Sequence, residues 1–300
     1  MKTISHAAFV LTLCLSLGTG LAFAHDASSL TLRASQGSDP VQCFGYCLHD
    51  ASSLTLRASQ GLPSGIREIR IQNRVGTLSV RGIPGSDIRV QALLKPGNGR
   101  EIDILGLFTW GGTSNFSRQT ADGSIRFERE ESHHLRVELA LPHDPRLKDL
   151  TIDWQLEIPQ SEAIRITNHI GRISISHMKT RVRARNNIGT ISIRHSEGPV
   201  FARTNIGKIV IDGVTRSLRV RTNIGHVQVR GAITSIGLVD LETNVGSLHI
   251  RGLTQLPKHS SGPGGQFLYH GTGRHHIRIE VNVGTIRLDL TPPSPKPSHP

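Results

Sequence analysis

A glycine preceded by an aliphatic residue returns at regular intervals through the second half of the chain. The spacings between these glycines are 18, 18, 18, 21 and 38 residues, and the glycines are Gly171, Gly189, Gly207, Gly225, Gly246 and Gly284. A short fixed period indicates that each repeat is one supersecondary unit, which buries its apolar face only by stacking on its neighbours. The period predicts a repeat architecture, and no other feature of the sequence constrains the fold as strongly.

The apolar positions around each glycine alternate, and their phase changes at the glycine. Aliphatic residues occupy the seventh, fifth and first positions before it and the second and fourth positions after it. Alternation with period two is typical of a β-strand with one buried face. Each repeat is therefore predicted to be a strand, a corner and a second strand, and glycine suits the corner because it adopts positive φ freely. The pattern assigns to the buried face the residues directly before the glycines, which are Ile170, Ile188, Ile206, Ile224, Val245 and Val283.

Two short strands and two turns in 18 residues predict an all-β fold, a two-faced β-solenoid. Each strand is expected to pair with its copy in the next coil, about 4.8 Å away. A left-handed hexapeptide helix would need an aliphatic residue six positions after Ile188, where Arg194 stands. Residues 66–82 already resemble one coil. The less regular strands of residues 62–160 are expected to cap the N-terminal end of the solenoid, because the terminal units of a repeat array are atypical.

The first 24 residues have the pattern of a secretory signal peptide. Lys2 precedes an apolar stretch from Ala7 to Ala22, and Ala22 and Ala24 form a small-x-small cleavage site. Residues 25–61 contain the sequence HDASSLTLRASQG twice, 24 residues apart. Identity without drift indicates a recent duplication, and this segment is predicted to have little structure. Its Cys43 and Cys47 are candidates for a disulfide in an oxidising compartment, or have no role.

Residues 161–290 hold the regular repeats, with two irregular additions. The spacing of 38 predicts an insertion loop at residues 254–276, and such insertions in repeat proteins emerge as surface loops that often carry function. Residues 291–300 form a proline-rich tail.

The outward positions of three successive repeats carry arginines, in a chain of net charge +12. Four residues before the glycine stand Arg185, Arg203 and Arg221, and six before it stand Arg183 and Arg219. Stacking would place the arginines in rows suited to phosphate or carboxylate ligands, since guanidinium groups form bidentate contacts with both. The same rows are also expected of a solvated face, since long arginine side chains can spread apart and need no ligand. Glu242 and Glu280 continue one row and are predicted to end the strip.

A row of asparagines is predicted to be structural. They stand two residues before the glycines, and stacked asparagines form hydrogen bonds along the axis of a cross-β stack. The row consists of Asn187, Asn205, Asn223, Asn244 and Asn282. The repeated glycines are assigned a structural role as well.

No pattern in the sequence indicates catalysis or a cofactor. There is no Gly-x-Ser-x-Gly elbow and no phosphate-binding loop, and nothing pairs two carboxylates for glycoside cleavage. Adjacent histidines such as His133 and His134 point to opposite sides of a strand, so no metal site is predicted. Sequence-specific nucleic-acid binding is not expected either, because exposed aromatic residues for base stacking are few.

The recurrent Gly-x-[Ile/Val]-x-[Ile/Val] motif resembles the bacterial "putative adhesin" domain family of exported proteins. The entry segment of residues 156–171, in which a strand ending in Ile158 and Pro159 leads into the first regular repeat, belongs to the same resemblance. It covers residues 66–290. The resemblance implies adhesion, without a defined ligand or catalytic residue.

These observations predict an exported, non-enzymatic interaction module of the cell envelope, located in the periplasm, at the surface or outside the cell. Its expected partners are anionic envelope polymers, such as lipopolysaccharide or acidic polysaccharide, or a surface protein. It is not expected to span a membrane once the signal peptide is removed. One alternative is a rigid periplasmic scaffold without a specific ligand. The other is a polysaccharide-active β-helix enzyme that uses basic residues such as Arg185 and Arg203.

Overall fold

A computed structural model describes residues 29–35, 53–95, 124–130, 133–140, 150–213, 216–231, 236–253 and 264–291. Within these ranges the chain forms fourteen strands and no helix, and the strands join in one open sheet. The all-β prediction is confirmed. The strands are β1 (Ser29–Ser35), β2 (Ser53–Gly61), β3 (Glu68–Ile83), β4 (Asp87–Lys95), β5 (Ser124–Glu130), β6 (His134–Ala140), β7 (Thr151–Pro159), β8 (Ala163–Ser176), β9 (Val182–Arg194), β10 (Val200–Asp212), β11 (Leu218–Gly231), β12 (Ile236–Arg251), β13 (Gly265–His270) and β14 (His275–Leu290).

Seven of these strands are long, parallel and bent at a glycine. They are β3, β8, β9, β10, β11, β14 and β12, in the order of their pairing. Their glycines have φ between 127° and 146° and lie opposite one another in register, from Gly76 in β3 to Gly246 in β12. Positions in these strands are counted from the glycine, so that position −1 is the residue directly before it and +1 the residue directly after it.

The bend divides the sheet into two walls that share the seven strands. Before the glycine, β6 extends the wall beside β3, β5 pairs with β6, and β13 closes the other end on β12. After the glycine, β7, β4, β2 and β1 extend the wall from β3 in that order. The core lies between the walls and is filled from both of them. On β10, for example, it contains Val200 and Ala202 from one wall and Ile209 and Ile211 from the other.

The glycine row leaves no room for a side chain. A Cβ on Gly207 would lie 1.8 Å from the carbonyl oxygen of Gly189, and one on Gly225 would lie 1.7 Å from that of Gly207. The backbones therefore approach one another at the bend closely enough to exclude every residue with a Cβ. This contact adds to the positive φ as a reason for glycine at each repeat.

The prediction that the −1 residues are buried is wrong. Ile188, Ile206 and Ile224 are 42%, 43% and 51% exposed, and their equivalents on β8, β14 and β12 are similar. The buried position is −3, which the alternation had not assigned, and it holds Asn or Thr on most strands, for example Asn186 and Thr204. The cause is the bend, because the chain turns there and positions −2, −1 and +1 all point away from the core.

The strand order also differs from simple stacking. β14 lies between β11 and β12, so β11 does not pair with the repeat that follows it in the chain. The segment predicted as an irregular loop at residues 254–276 contains β13, which runs antiparallel to Leu238–Thr243 of β12, with Phe267 buried. Residues 254–263 lie outside the described residues.

The duplicated segment is more structured than predicted. Its two copies form β1 and β2, which pair in parallel so that each residue lies opposite its own duplicate, from Ser29 on Ser53 to Ser35 on Ser59. Cys43 and Cys47, the predicted signal peptide and residues 292–300 lie outside the described residues. In the part of the chain that is described, no helix is long and apolar enough to cross a membrane.

Candidate polyanion-binding face

The five candidate arginines lie on one wall of the sheet, on the outer side of three adjacent strands. Positions −6 and −4 of β9, β10 and β11 point outward because positions −7, −5 and −3 fill the core. In register, Arg183, Phe201 and Arg219 form one row, and Arg185, Arg203 and Arg221 form the next. We call these six residues the arginine face. Its neighbouring strands are about 4.8 Å apart, and its rows are two residues apart.

Phe201 occupies the centre of the first row and is 36% exposed. The guanidinium carbon of Arg183 lies 5.6 Å from the centroid of its ring. At this distance a cation gains from the negative face of an aromatic ring, by about 0.5–1 kcal/mol at an exposed site. The ring thus holds one arginine in place and separates it from Arg219 in the same row.

Three of the arginines have no carboxylate partner among the described residues. These are Arg185, Arg203 and Arg219, and all three are exposed. Arg185 and Arg203 are direct neighbours across β9 and β10. Like charges about 4 Å apart repel by about 1 kcal/mol in water, which long side chains reduce by spreading. The face therefore carries uncompensated positive charge on a rigid backbone.

Glu280 of β14 bounds the face on one side. Its carboxylate contacts Arg221, with Nε to Oε2 at 2.6 Å, and Arg278, with Nε to Oε1 at 2.6 Å. Burial opposes ionisation of Glu280, but the hydrogen bonds and charges of Arg221 and Arg278 prevail and hold its pKa below the ordinary value. Arg221 is therefore engaged within the protein, unlike Arg203 beside it. Glu242 follows Glu280 in register on β12.

Glu68 of β3 bounds the face on the other side, and it was not among the residues predicted from the sequence. Its carboxylate lies 2.9 Å from Nε of Arg70, 3.1 Å from Nε of Arg165 and 3.9 Å from a terminal nitrogen of Arg183. Burial alone would raise the pKa of Glu68, but the hydrogen bond from Arg70 and the nearby charges lower it. The sequence signal was available, since Glu68 stands two residues before Arg70, which begins the row that contains Arg183.

The asparagine row lies beside the arginine face, at position −2. Asn223 donates to Oδ1 of Asn205 (2.9 Å), Asn282 donates to Oδ1 of Asn223 (2.7 Å), and Asn244 donates to Oδ1 of Asn282 (3.0 Å). Asn187 belongs to the same row by register, and no hydrogen bond joins its amide to Asn205. The row thus forms a continuous chain of amides over four adjacent strands.

A second set of asparagines stabilises the bend from inside. The amide of Asn186, at position −3, donates to the carbonyl of Gly171 on the next strand at 2.8 Å, and Asn168 donates to that of Gly76 at 3.2 Å. On β10, β11 and β12 a threonine replaces the asparagine, and its hydroxyl lies near the carbonyl of position −1 of its own strand. These buried polar residues position the glycine row and leave the outer face unobstructed.

The described residues contain no group of three or more His, Cys, Asp or Glu side chains that is arranged to hold a metal ion. His275 and His276 are adjacent at the start of β14, and burial and the neighbouring Arg274 lower the pKa of His275. His133 directly precedes β6 and contacts the carbonyl of Gly65 at 3.0 Å. The arrangement on the arginine face is suited to binding anionic groups, because it presents cations in a fixed array.

No protein-family model matches the chain, and no curated protein matches it. Three solved structures are similar. A putative cell adhesion protein from Clostridium sporogenes has a TM-score of 0.43 and 11% identity, covering 78% of this chain and 99% of its own. A putative adhesin from Bacteroides fragilis has a TM-score of 0.33 and 11% identity, covering 79% and 97%. A putative adhesin from Parabacteroides merdae has a TM-score of 0.21 and 6% identity, covering 87% and 99%.

Proposed function

We propose that this chain is an exported, non-enzymatic adhesin-like module that binds an anionic polymer of the cell envelope through the arginine face. The bent parallel strands act as a two-faced solenoid, a rigid rod whose outer wall presents the cations. The ligand is an acidic polysaccharide or the phosphorylated saccharide of a lipopolysaccharide. Secretion follows from the signal-peptide pattern of residues 1–24, and the site of action is the periplasm, the cell surface or the extracellular space.

The single observation that carries this proposal is the uncompensated charge of Arg185, Arg203 and Arg219. At the two borders of the face the arginines are paired, as Arg221 is with Glu280 and Arg70 with Glu68. Pairing at both borders and not at the centre leaves a positive patch bounded by neutralised residues. A linear polyanion with regularly spaced charges is a suitable occupant, since several weak contacts add along a fixed array.

The test compares dextran sulfate with uncharged dextran, which share a backbone and differ in charge. The wild-type chain should bind dextran sulfate and not dextran, with an affinity that falls as salt increases. The triple variant Arg185→Gln, Arg203→Gln, Arg219→Gln should bind dextran sulfate at least tenfold more weakly. The slope of log affinity against log salt should become shallower by about one for each arginine removed.

A matched control removes the same charge from the opposite wall. Arg81, Arg194 and Arg251 are exposed, stand five residues after their glycines, and form no ion pair with a described residue. The variant Arg81→Gln, Arg194→Gln, Arg251→Gln has the same net charge as the first triple and should bind like wild type. Equal losses in both triples would mean that net charge alone attracts the polymer. The chain would then be a rigid scaffold without a specific ligand. Cleavage of an acidic polysaccharide during incubation would instead support an enzyme.

A further inference from the structure

A continuous row of exposed aliphatic side chains runs along the outside of the bend. It consists of the −1 residues of six adjacent strands, in the order Ile170, Ile188, Ile206, Ile224, Val283 and Val245. Each is 41–51% exposed, and with neighbouring strands about 4.8 Å apart the row is about 24 Å long. We call it the aliphatic ridge. Single exposed aliphatic residues are ordinary, but a contiguous row of this length marks an interaction surface.

The ridge is convex, because it lies at the apex of the bend. Positions −2 and +1 on either side of it are exposed as well, while positions −3 and +2 point into the core. A convex apolar row cannot receive a helix or a strand in a groove. It can insert into a deformable apolar layer, with its aliphatic side chains entering first.

The borders of the ridge carry positive charge and no negative charge. On the seven bent strands, no carboxylate occupies position −2, −1 or +1. Cations do occupy these positions, namely Arg172 and Lys208 at +1 and, on β3 beside the ridge, Arg74 at −2. Asp153 of β7 lies beside Thr77 beyond the end of the ridge, where Lys95 neutralises it at 3.0 Å.

Four of the asparagines next to the ridge are hydrogen-bonded to one another. The amides of Asn205, Asn223, Asn282 and Asn244 are joined by hydrogen bonds along the stack. Removing water from a polar group costs less when its hydrogen bonds are made within the protein. Covering this asparagine row together with the ridge therefore costs less desolvation free energy than covering asparagines without hydrogen-bond partners would.

We propose that the aliphatic ridge docks on the surface of a lipid bilayer that contains anionic headgroups. Such a surface offers an apolar layer for the aliphatic side chains and phosphates for Arg172 and Lys208 on one border and for Arg74 beside the ridge, as an interfacial amphipathic element requires. Charge complementarity favours this occupant over a second copy of the chain, because two ridges in contact would bring their basic borders together. The site is separate from the arginine face and does not depend on polymer binding.

The test is co-sedimentation of the full chain with vesicles of equal parts phosphatidylcholine and phosphatidylglycerol, and with vesicles of phosphatidylcholine alone. Wild type should bind the mixed vesicles and bind the neutral ones at least tenfold more weakly. The triple variant Ile188→Thr, Ile206→Thr, Ile224→Thr keeps β-branched side chains in the strands and should bind the mixed vesicles at least tenfold more weakly than wild type. Residues 1–24 are the same in both chains, so they cannot cause a difference.

Leu268→Thr is the matched control, since Leu268 is 53% exposed on β13, away from the ridge. It should bind the vesicles like wild type, and the ridge triple should bind dextran sulfate like wild type and unfold at the same urea concentration. Failure of wild type to bind the mixed vesicles would overturn the proposal. So would equal binding by the ridge triple, or loss of vesicle binding only when Arg185, Arg203 and Arg219 are replaced. If the ridge triple converts a dimer to a monomer, the ridge joins two copies and the lipid proposal is wrong.

Discussion

Replacing Gly207 with alanine tests whether the stack depends on backbone contact at the bend. A Cβ at this position would lie 1.8 Å from the carbonyl oxygen of Gly189, whereas ordinary contact begins at 3.4 Å. Strands β9 and β10 are each held on both sides by further strands, so the side chain cannot be accommodated by movement of one edge. Gly85→Ala is the matched control, because Gly85 has φ of 106° and no described residue lies within 4 Å of where its Cβ would be.

The expected cost follows from two contributions. An alanine at positive φ costs about 1–3 kcal/mol at either glycine. At Gly207 the clash adds overpacking of about 1–3 kcal/mol and weakens the adjacent backbone hydrogen bonds, each of which contributes about 0.5–1.5 kcal/mol. We therefore expect Gly207→Ala to lower the free energy of unfolding by roughly 3–6 kcal/mol, a large part of the roughly 5–15 kcal/mol typical of a domain.

The assay is urea denaturation followed by far-UV circular dichroism, with both variants and wild type at one protein concentration. Gly207→Ala should unfold at a much lower urea concentration than Gly85→Ala, or fail to fold at all. The slope of the transition should be compared as well, because a repeat protein that loses one interface can unfold in two steps. Equal midpoints for Gly207→Ala and Gly85→Ala would refute the reasoning, since positive φ would then be the whole reason for glycine.

Two further predictions concern polar contacts. Asn186→Ala removes the hydrogen bond to the carbonyl of Gly171 and should lower the free energy of unfolding by about 1–2 kcal/mol; Asn187→Ala, its neighbour on the outer surface, should change it by less than about 0.5 kcal/mol. Because the pKa of Glu280 is lowered in the folded protein, its ion pairs stabilise the fold above about pH 4.3, and this contribution is lost as the pH falls through the folded-state pKa. Wild type should therefore be more stable than Glu280→Gln at neutral pH, and the difference should shrink in acid.

Both are measured by urea midpoints, at neutral pH for the asparagines and from about pH 7 to about pH 3 for the glutamate. Equal effects of Asn186→Ala and Asn187→Ala would show that the inner amide does not stabilise the bend. A difference between wild type and Glu280→Gln that stays constant into acid would show that the carboxylate is not stabilised by its arginine partners.

The alternation on β10 illustrates how much of the fold the sequence predicts. Val200, Ala202, Ile209 and Ile211 are assigned to the core by period two alone, and all four are buried. The sequence also predicts that the apolar alternation changes phase at Gly207, because glycine marks the place where the two wall segments meet. Such assignments succeed because each depends on local backbone geometry and on the preference of aliphatic side chains for burial.

Ile206 shows where this reasoning fails. Its aliphatic character and odd spacing place it inside, but it is 43% exposed. Alternation applies only while the strand stays extended, and at the bend the neighbours at −2 and −1 turn outward together. The inner position passes to Thr204, whose polar side chain gave no sign of burial. The alternation therefore assigned to the core a row of residues that forms a continuous exposed apolar surface in the structure.

The sequence predicted which arginines lie on the arginine face, but it did not predict which of them are paired with carboxylates. The common spacing from the glycine places Arg185 and Arg203 side by side on neighbouring strands. Which arginines remain unpaired depends on strands that are distant in sequence, since Glu68 comes from the first bent strand and Glu280 from the last in the chain.

Local pattern thus determined which residues of the straight segments point inward, where each strand bends and which side chains share a row, because these properties depend on a few consecutive residues. Tertiary structure alone decided which rows are neighbours. The aliphatic positions of β12 and β14 are interchangeable in the pattern, and either strand would continue the core beside β11. The placement of β14 between β11 and β12, with β13 on the outer edge of β12, brings Glu280 to Arg221. Strand pairing is a long-range choice among nearly equivalent partners, and no short stretch of sequence distinguishes them.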